Sequence, residues 1–190
     1  KGAMLSHGNI VANMQQAGVL FSTYDFREGE ETLLLPLPLY HIYAFNACLG
    51  MLARGGHTVL VPNPRDLKSL VAAFRNSGCT GFAGLNTLFV ALCNDADFRA
   101  VDFSRLKLTM SGGMALTMAA AGRWKEVTGV EIVEGYGMSE TSPVISVNPV
   151  NANRLGTIGI AVPSTEVRIV DDNGNEVAAG EPGRDLPPGA

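Results

Sequence analysis

Short apolar segments that alternate with helix-like segments constrain the fold of this chain more than any other feature of its sequence. The segments with strand character are rich in apolar and β-branched residues and lie at 32–37, 57–61, 80–85, 106–110 and 131–134. The segments between them carry apolar residues at helical spacing and lie at 43–54, 66–76, 86–94 and 115–127. Such alternation is typical of βαβ units, in which helices cover both faces of buried parallel strands. We therefore predict an α/β fold with a mostly parallel sheet and helices on both faces.

The two ends of the chain depart from this alternation. Ser6, a residue type that favours helix N-caps, precedes a predicted helix that runs to about Phe21 with Asn13 on its polar side. Beyond Pro149 no helical spacing recurs, and short alternating segments are separated by glycine and proline. We predict three parts: an α/β subdomain over 1–148, a β-rich element over 149–183 and a tail over 184–190.

Composition argues against several classes of protein. Hydrophobic residues make up 46% of the 190 residues and charged residues 17%, so the chain has the apolar content that disordered proteins lack. The net charge of −4 provides no basic excess of the kind that binds nucleic acid. The three cysteines are widely spaced in apolar segments, which favours reduced, buried thiols in a cytoplasmic protein over disulfides or a metal site.

One uncharged stretch, residues 33–53, is long enough to raise the alternative of a membrane-spanning helix. Pro36 and Pro38 lie near its start, where they would interrupt the backbone hydrogen bonds that a spanning helix must make. A buried strand, a loop and a helix account for the stretch better, and we expect no membrane span.

Glycines and polar residues concentrate in three loops that follow predicted strands, at 38–41, 111–114 and 135–143. Ligands of open parallel sheets bind beyond the carboxyl ends of the strands, so these loops form the predicted site. Gly135 and Gly137 flank Tyr136, which combines close backbone approach with an aromatic stacking face. Ser139 and Glu140 supply a hydroxyl and a carboxylate, oxygen groups suited to a phosphate and its Mg²⁺.

The sequence Tyr-Gly-Met-Ser-Glu-Thr-Ser-Pro at 136–143 resembles the adenylate-binding motif of the acyl-CoA synthetase and luciferase superfamily of adenylate-forming enzymes. Further motifs follow the family's order and spacing: Lys1 to Asn9 resembles the end of the phosphate-binding loop, 37–43 the motif with the substrate-side histidine, and 111–114 the glycine loop beside adenine. Residues 162–176 resemble the stretch that leads into the family's β-barrel subdomain. The resemblance covers residues 1–183 and is nearest to bacterial long-chain fatty-acid CoA ligases.

The resemblance implies a ligase that uses ATP and Mg²⁺ and whose small-molecule partners are a fatty acid, ATP and coenzyme A. The acid's carboxylate would attack the α-phosphate of ATP to give acyl-AMP and pyrophosphate, and the thiol of coenzyme A would then attack the activated carbonyl. The family's motifs assign His41 to the acyl carboxylate, Ser139 to the α-phosphate and Glu140 to Mg²⁺. Further nucleotide contacts would come from Lys1, Gly112, Gly113, Met114, Glu134, Gly135, Tyr136, Gly137 and Met138. The family more often has threonine where this chain has Ser139, and the hydroxyl is kept.

Departures from the family pattern lead to a further expectation. The Ser/Thr/Gly-rich run that opens the family's phosphate loop would precede Lys1, and residues 184–190 do not match the family's continuation. We therefore expect a fragment of the large N-terminal domain, without the small lysine-bearing C-terminal domain, that does not ligate by itself. Peripheral contact with the inner membrane face is compatible with a substrate derived from membranes, and the sequence leaves the oligomeric state open.

Three alternatives stay open on the sequence. A ligase for an aryl, short-chain or amino acid would share these motifs, because acyl choice depends on pocket residues outside them. A serine hydrolase would use Ser139 or Ser111, but neither lies in the G-x-S-x-G turn of such enzymes. A non-catalytic interaction module is the third. Taken by itself, the loop at 135–143 also fits a tight turn with solvated polar residues.

Overall fold

The computed structural model describes residues 2–21 and 25–186. In this part of the chain seven strands form one sheet: β1 (Thr32–Leu35), β2 (His57–Leu60), β3 (Gly81–Gly84), β4 (Leu108–Ser111), β5 (Ile132–Gly137), β6 (Val144–Val147) and β7 (Ile160–Ala161). Their order is β2-β1-β3-β4-β5-β6-β7, and the pairings from β2 to β5 are parallel. β6 pairs antiparallel with both β5 and β7.

The helices of the described residues are α1 (His7–Phe21), α2 (Ile42–Ala53), α3 (Leu67–Ser77), α4 (Asn86–Asn94), α5 (Ala96–Arg99) and α6 (Met118–Thr128). Short 3₁₀ turns span Ser139–Thr141 and Val150–Ala152, and β8 (Arg168–Val170) pairs antiparallel with β9 (Arg184–Leu186). Within residues 2–21 and 25–186, no helix is long and apolar enough to cross a membrane. The predicted α/β class is confirmed.

Local signals set the ends of the helices. Asp66 caps the start of α3, and Gly78 ends that helix in the left-handed conformation with φ 57°. The hydroxyl of Thr117 accepts a hydrogen bond from the Ala120 N–H at 3.3 Å. Because this cap fixes the start of α6, the helix begins after Thr117 and not at the predicted Ala115.

Residues 135–137 differ from the predicted turn. They continue β5 as an extended strand, with Gly135 opposite Val147 and Gly137 opposite Val144. A Cβ atom at Gly137 would overlap the carbonyl group of Pro143. Glycine is therefore required here because two backbones approach closely, and the chain turns only after residue 137. Strand β6 and the short helix α5 were not predicted.

The side chains of the sheet divide between two layers. On one face, Leu34, Phe82 and Ile132 belong to a large core with side chains of α3, α4 and α6, and we name this face the aromatic face. On the opposite face, Leu33, Leu35 and Ala83 pack with Ala44 of α2 in a smaller cluster, and α1 contacts both α2 and β6. The prediction of helices on both faces is confirmed.

The chain reverses direction across the sheet beside β1. It leaves β1 for β2 at the edge, returns to β3 on the other side of β1, and continues to β4 and β5. Such a switch point is where open α/β sheets bind ligands. The predicted subdomain division near residue 148 stays a prediction, and β7, which lies beyond it, pairs with β6 in the main sheet.

Candidate functional site

A cavity of about 390 Å³ lies between α1, α2 and the face of the sheet opposite the aromatic face. The predicted site loops form one end of it, through His41, Gly112, Gly113 and residues 135–139. Its walls are mainly apolar and include Met14, Ala17, Leu33, Ala47, Gly50, Met51, Leu108, Met110 and Val133. Phe26, Arg54 and Thr80 line it as well. We name this face of the sheet the cavity face.

The loops that follow β1 and β4 meet the end of β5 at one end of the cavity. Cε1 of His41 lies 3.9 Å from the position that a Cβ atom at Gly113 would occupy. The corresponding position at Gly112 lies 3.5 Å from the ring of Tyr43 and 3.6 Å from the carbonyl oxygen of Gly135. Gly113 has φ 81°, a conformation that favours glycine, so the sequence supplies both the turn and the open space.

His41 caps α2 and also lines the cavity. Its Nδ1 accepts a hydrogen bond from the Tyr43 N–H at 3.2 Å. Since Nδ1 is an acceptor, the neutral ring carries its proton on Nε2. The cap therefore orients an exposed N–H donor beside the glycine loop. The capping role and the ligand-facing role are therefore compatible in one side chain.

Tyr43 joins α2 to β4 across the cavity face. Its hydroxyl donates to the carbonyl oxygen of Met110 at 3.3 Å. Burial raises the pKa of Tyr43 far above its usual range, so the phenol stays neutral and keeps this donor. Tyr43 belongs to the 37–43 motif but was not among the predicted site residues.

Ser139 and Glu140 lie in a tight loop, residues 138–143, which we name the nucleotide loop. The Met138 N–H donates to the Pro143 carbonyl at 3.1 Å and to the Thr141 hydroxyl at 3.0 Å, and these bonds close the loop. Both Ser139 and Glu140 are exposed at its tip. Ser139 lines the cavity, whereas Glu140 is outside the described lining.

The structure does not bring every predicted residue to the cavity. Glu134 accepts a hydrogen bond from the Gly156 N–H at 2.9 Å, and Met114 is 47% exposed. Neither residue is part of the described lining of the cavity. Lys1 lies outside the described residues. The functional roles of these residues stay predictions.

The nucleotide loop offers one carboxylate, that of Glu140, which suits an Mg²⁺ ion whose other ligands are substrate phosphates and waters. Among the described residues, no group of three or more His, Cys, Asp or Glu could hold a metal ion. Glu140 is an exposed carboxylate with no ion pair in the described part of the chain. Mg²⁺ is commonly bound by one or two carboxylates, substrate phosphates and waters, and this single carboxylate fits that mode.

Two buried asparagines beside the nucleotide loop were missed by sequence reasoning. Asn13 is 4% exposed and Asn46 6%, and they lie on α1 and α2. Asn13 was predicted on the polar side of its helix, but it lies in the buried stripe with Met14 and Ala17. An asparagine at the spacing of a buried apolar stripe is the signal that could have identified it.

The chain matches known proteins over nearly its whole length. The model of the AMP-binding enzyme family matches residues 1–184. A long-chain-fatty-acid–CoA ligase of Escherichia coli O157:H7 is 43% identical over 185 residues, which cover 96% of this chain and 33% of the relative. A feruloyl-CoA synthase of Amycolatopsis sp is 32% identical over 186 residues, which cover 96% of this chain and 37% of the relative.

Solved structures give the same grouping. The anthranilate CoA ligase AuaEII, in complex with anthranoyl-AMP, aligns with a TM-score of 0.87 and 28% identity over 98% of this chain and 36% of that one. The 190 residues span about a third of the length of the curated relatives that they match.

Proposed function

This chain belongs to the AMP-binding enzyme family, and from that premise we propose that it forms part of an ATP-dependent long-chain fatty-acid CoA ligase. The observation that carries the proposal is the cavity, which has the nucleotide loop and the glycine loop at its mouth and mainly apolar walls behind them. Such a shape suits a ligand with a charged head and an apolar tail. Identity of 43% to bacterial long-chain-fatty-acid–CoA ligases supports the same substrate class.

In the proposed first step, a fatty-acid carboxylate at the mouth of the cavity attacks the α-phosphorus of ATP. An oxygen–phosphorus bond forms as the bond to pyrophosphate breaks, and this chemistry needs positioning and charge neutralisation more than covalent help. Tyr136 would stack on adenine, and the Ser139 hydroxyl would donate to the α-phosphate. The Nε2–H of His41 would donate to the carboxylate, where negative charge gathers.

In the proposed second step, the thiol sulfur of coenzyme A attacks the carbonyl carbon of the acyl-AMP, and AMP leaves. Glu140 is the residue that would hold Mg²⁺, which when bound neutralises charge on the phosphates. The proposal includes a cytoplasmic location and small-molecule partners, namely the fatty acid, ATP and coenzyme A. The proposal also includes peripheral contact with the membrane, through which the fatty acid would reach the enzyme.

A pyrophosphate-release assay tests the proposal. The full-length ligase that carries this sequence is incubated with palmitate, ATP and Mg²⁺, and release is expected to depend on the acid. Ser139→Ala should lower the rate by about 10- to 1,000-fold, as loss of a positioned donor to a developing charge does in other enzymes. Acid-independent release, or none with any carboxylate, would contradict the proposal.

The 190 residues by themselves are proposed not to ligate, because they match only a third of the relatives' length. The same assay on the 190-residue chain should give no acid-dependent pyrophosphate. Sustained turnover by this chain would overturn that part of the proposal and leave the assigned reaction intact.

A second candidate keeps the reaction and changes the acid. A relative at 32% identity is a feruloyl-CoA synthase, and a structure with TM-score 0.87 is an anthranilate CoA ligase, so aryl acids merit a direct comparison. A panel of palmitate, octanoate, ferulate and anthranilate separates the candidates. The highest kcat/KM with palmitate supports the long-chain proposal, and the highest value with an aryl acid supports the alternative.

A further inference from the structure

A buried carboxamide holds the residue at which the nucleotide loop rejoins the sheet. Nδ2 of Asn13 donates to the carbonyl oxygen of Val144 at 2.7 Å, and the N–H of Val144 donates to Oδ1 of Asn13 at 2.9 Å. The two residues are 131 positions apart in the sequence. One donor and one acceptor on a planar amide match the backbone of Val144 as a neighbouring strand would, and this double pairing fixes which way the amide points.

A second buried amide extends this contact to the wall of the cavity. Nδ2 of Asn46 lies 3.3 Å from the carbonyl oxygen of Ser142 and 3.4 Å from Oδ1 of Asn13, and it donates to both. Asn46 lies on α2 and lines the cavity. The hydrogen bonds therefore run from the cavity wall to Ser142 and Val144, the two residues on either side of Pro143. We name Asn13 and Asn46 together the amide bridge.

The amide bridge attaches the end of the nucleotide loop to helices α1 and α2. The bonds inside the loop join Met138 to Thr141 and Pro143, so they close the loop without attaching it to a helix. The pairing of β5 with β6 shifts register between Tyr136 and Gly137, at the base of the loop. Among the described residues, the side-chain hydrogen bonds that reach residues 138–144 from outside come from the amide bridge.

We propose that Asn13 is a positioning residue for the nucleotide loop and that Asn46 couples the position of this loop to the wall of the acyl cavity. The inference rests on the proposed function, which gives Ser139 and Glu140 a nucleotide to bind. Both residues precede the anchored segment 142–144 by only a few positions, so release of the anchor displaces their side chains. Displacement of a reacting group by about 1 Å can lower a rate by about 100-fold.

Kinetics of the full-length ligase that carries this sequence test the inference. For Asn13→Ala we expect kcat/KM for acid-dependent ATP–pyrophosphate exchange to fall about 10- to 100-fold, with most of the change in KM for ATP. In Asn13→Ala, KM for coenzyme A in the complete ligation reaction should stay within about twofold, because Asn13 is outside the described lining of the cavity. Asn46→Ala should raise KM for palmitate as well as KM for ATP.

Two control variants separate positioning from a general loss of folded protein. Asn153→Ala removes another carboxamide, whose Nδ2 donates to the Ile132 carbonyl at 3.0 Å, at the end of β5 that is away from the nucleotide loop. Val71→Ala truncates a side chain that is 3% exposed in the aromatic-face core, and it supplies a variant of lowered stability. Both should keep KM for ATP within about twofold of the unsubstituted enzyme, since neither touches the loop.

Hydrogen exchange on the 190-residue chain tests the inference without a substrate. Its first measurement is made on the unsubstituted chain, so that measurement does not depend on the folding of a variant. The Val144 amide should exchange more slowly than the exposed loop amides of Ser139 and Glu140, because its N–H is bonded to a buried oxygen. In Asn13→Ala, protection should fall at Val144 and across the nucleotide loop, while amides of β3 keep theirs.

Each outcome decides a different statement. If the unsubstituted ligase shows no acid-dependent exchange, the proposed function fails. If that enzyme is active but Asn13→Ala changes KM for ATP no more than Val71→Ala does, the positioning role of Asn13 is overturned and the proposed function stands. An unprotected Val144 amide in the unsubstituted chain also overturns it.

Discussion

The two faces of the sheet use the same strands in opposite ways. On the aromatic face, Trp124 is fully buried, stacks on Phe82 at 5.4 Å and meets Phe89 edge-on at 5.0 Å. On the cavity face, the strands present leucine, alanine and glycine together with Met110 and Val133, and a space of about 390 Å³ remains between the strands and the helices. Close packing on one face supplies the rigidity that lets the other face keep a cavity.

The comparison separates stability from binding. A large side chain removed from the aromatic face leaves a void in a filled core, whereas a side chain that lines the cavity already borders open space. We therefore expect stability to respond mainly to changes on the aromatic face and substrate kinetics mainly to changes on the cavity face. The following predictions test this division.

Trp124→Ala should have the largest effect on stability, about 3–5 kcal/mol, because it removes a fully buried ring. It also removes the hydrogen bond that Nε1 donates to the Thr109 hydroxyl at 3.1 Å. The comparison variant is Met51→Ala on the cavity face, for which we expect about 1 kcal/mol. Urea denaturation measures the stability of both variants. It is followed by far-UV circular dichroism, because Trp124→Ala removes the chain's one tryptophan and with it the tryptophan fluorescence signal. Equal losses would break the comparison.

Enlarging an alanine on each face should give opposite results. Ala121→Phe, at a position 3% exposed on the aromatic face, should cost about 1–3 kcal/mol by overpacking. Ala47→Phe projects into the cavity and should change stability by less than about 1 kcal/mol. In the proposed full-length ligase, Ala47→Phe should lower kcat/KM for palmitate by about 10- to 200-fold with KM for ATP unchanged. Undiminished palmitate turnover in Ala47→Phe would show that the acyl chain binds elsewhere.

A partly buried ion pair lies at the start of β1, near the cavity, and it provides a stability test on this side of the sheet. Nζ of Lys107 lies 2.8 Å from Oε1 of Glu31, a residue that is 4% exposed. The same Nζ donates to the carbonyl oxygen of Asp25 at 2.7 Å, and the next residue, Phe26, lines the cavity. Burial by itself raises the pKa of Glu31, but hydrogen bonds, led by that from Lys107, outweigh it and hold the pKa below its usual range. The ion pair thus stabilises the fold above the ordinary glutamate pKa, and its contribution is lost as the pH falls through the lowered value.

Lys107→Met should cost about 1–3 kcal/mol at pH 7, because it leaves a buried carboxylate without its partner. The difference from the unsubstituted chain should shrink as the pH falls below the ordinary glutamate pKa and through the lowered pKa of Glu31, since the carboxylate then becomes protonated in both chains. Denaturation midpoints between pH 3 and 8 measure this difference. A difference independent of pH would assign the loss to packing of the lysine stem and not to the ion pair.

The smallest effects on stability are expected at two helix caps, that of α6 beside the aromatic face and that of α2 beside the cavity face. Thr117→Ala removes the N-cap of α6 and should cost about 1 kcal/mol. His41→Asn keeps a capping side chain on α2 and should change stability by less than about 0.5 kcal/mol. In the proposed full-length ligase, however, His41→Asn should lower acid-dependent pyrophosphate release by about 10-fold or more, since the Nε2–H donor is lost. Full activity of His41→Asn would remove the ligand-facing role and leave the cap.

Much of the fold followed from local patterns. The predicted helix over 86–94 matches α4, and the strands are found within a few residues of their predicted places. Misplaced ends have local causes that compete with periodicity, such as the Thr117 cap that delays α6. Strand β6 was missed because Val144–Val147 directly follows a proline, and because its pairing with β5 is a tertiary contact.

The site was predictable where one loop carries the chemistry and unpredictable where side chains converge from distant segments. Gly113 and His41 each follow a strand, and the carboxyl ends of parallel strands share one edge, so their proximity followed from the fold class. Glu134 lies beside the nucleotide motif in sequence but bonds to Gly156, because successive strand residues point to opposite faces.

The sequence by itself determined the alternation of strands and helices, the helix caps, the glycines at the mouth of the site and the membership of the AMP-binding family. Only the tertiary structure decided which face of the sheet is filled and which keeps a cavity, and that Asn13 pairs with Val144. Caps and periodicity act over a few residues, so they can be read along the chain. A cavity and a buried amide pair depend on the combined volumes and polar groups of segments that only folding brings together.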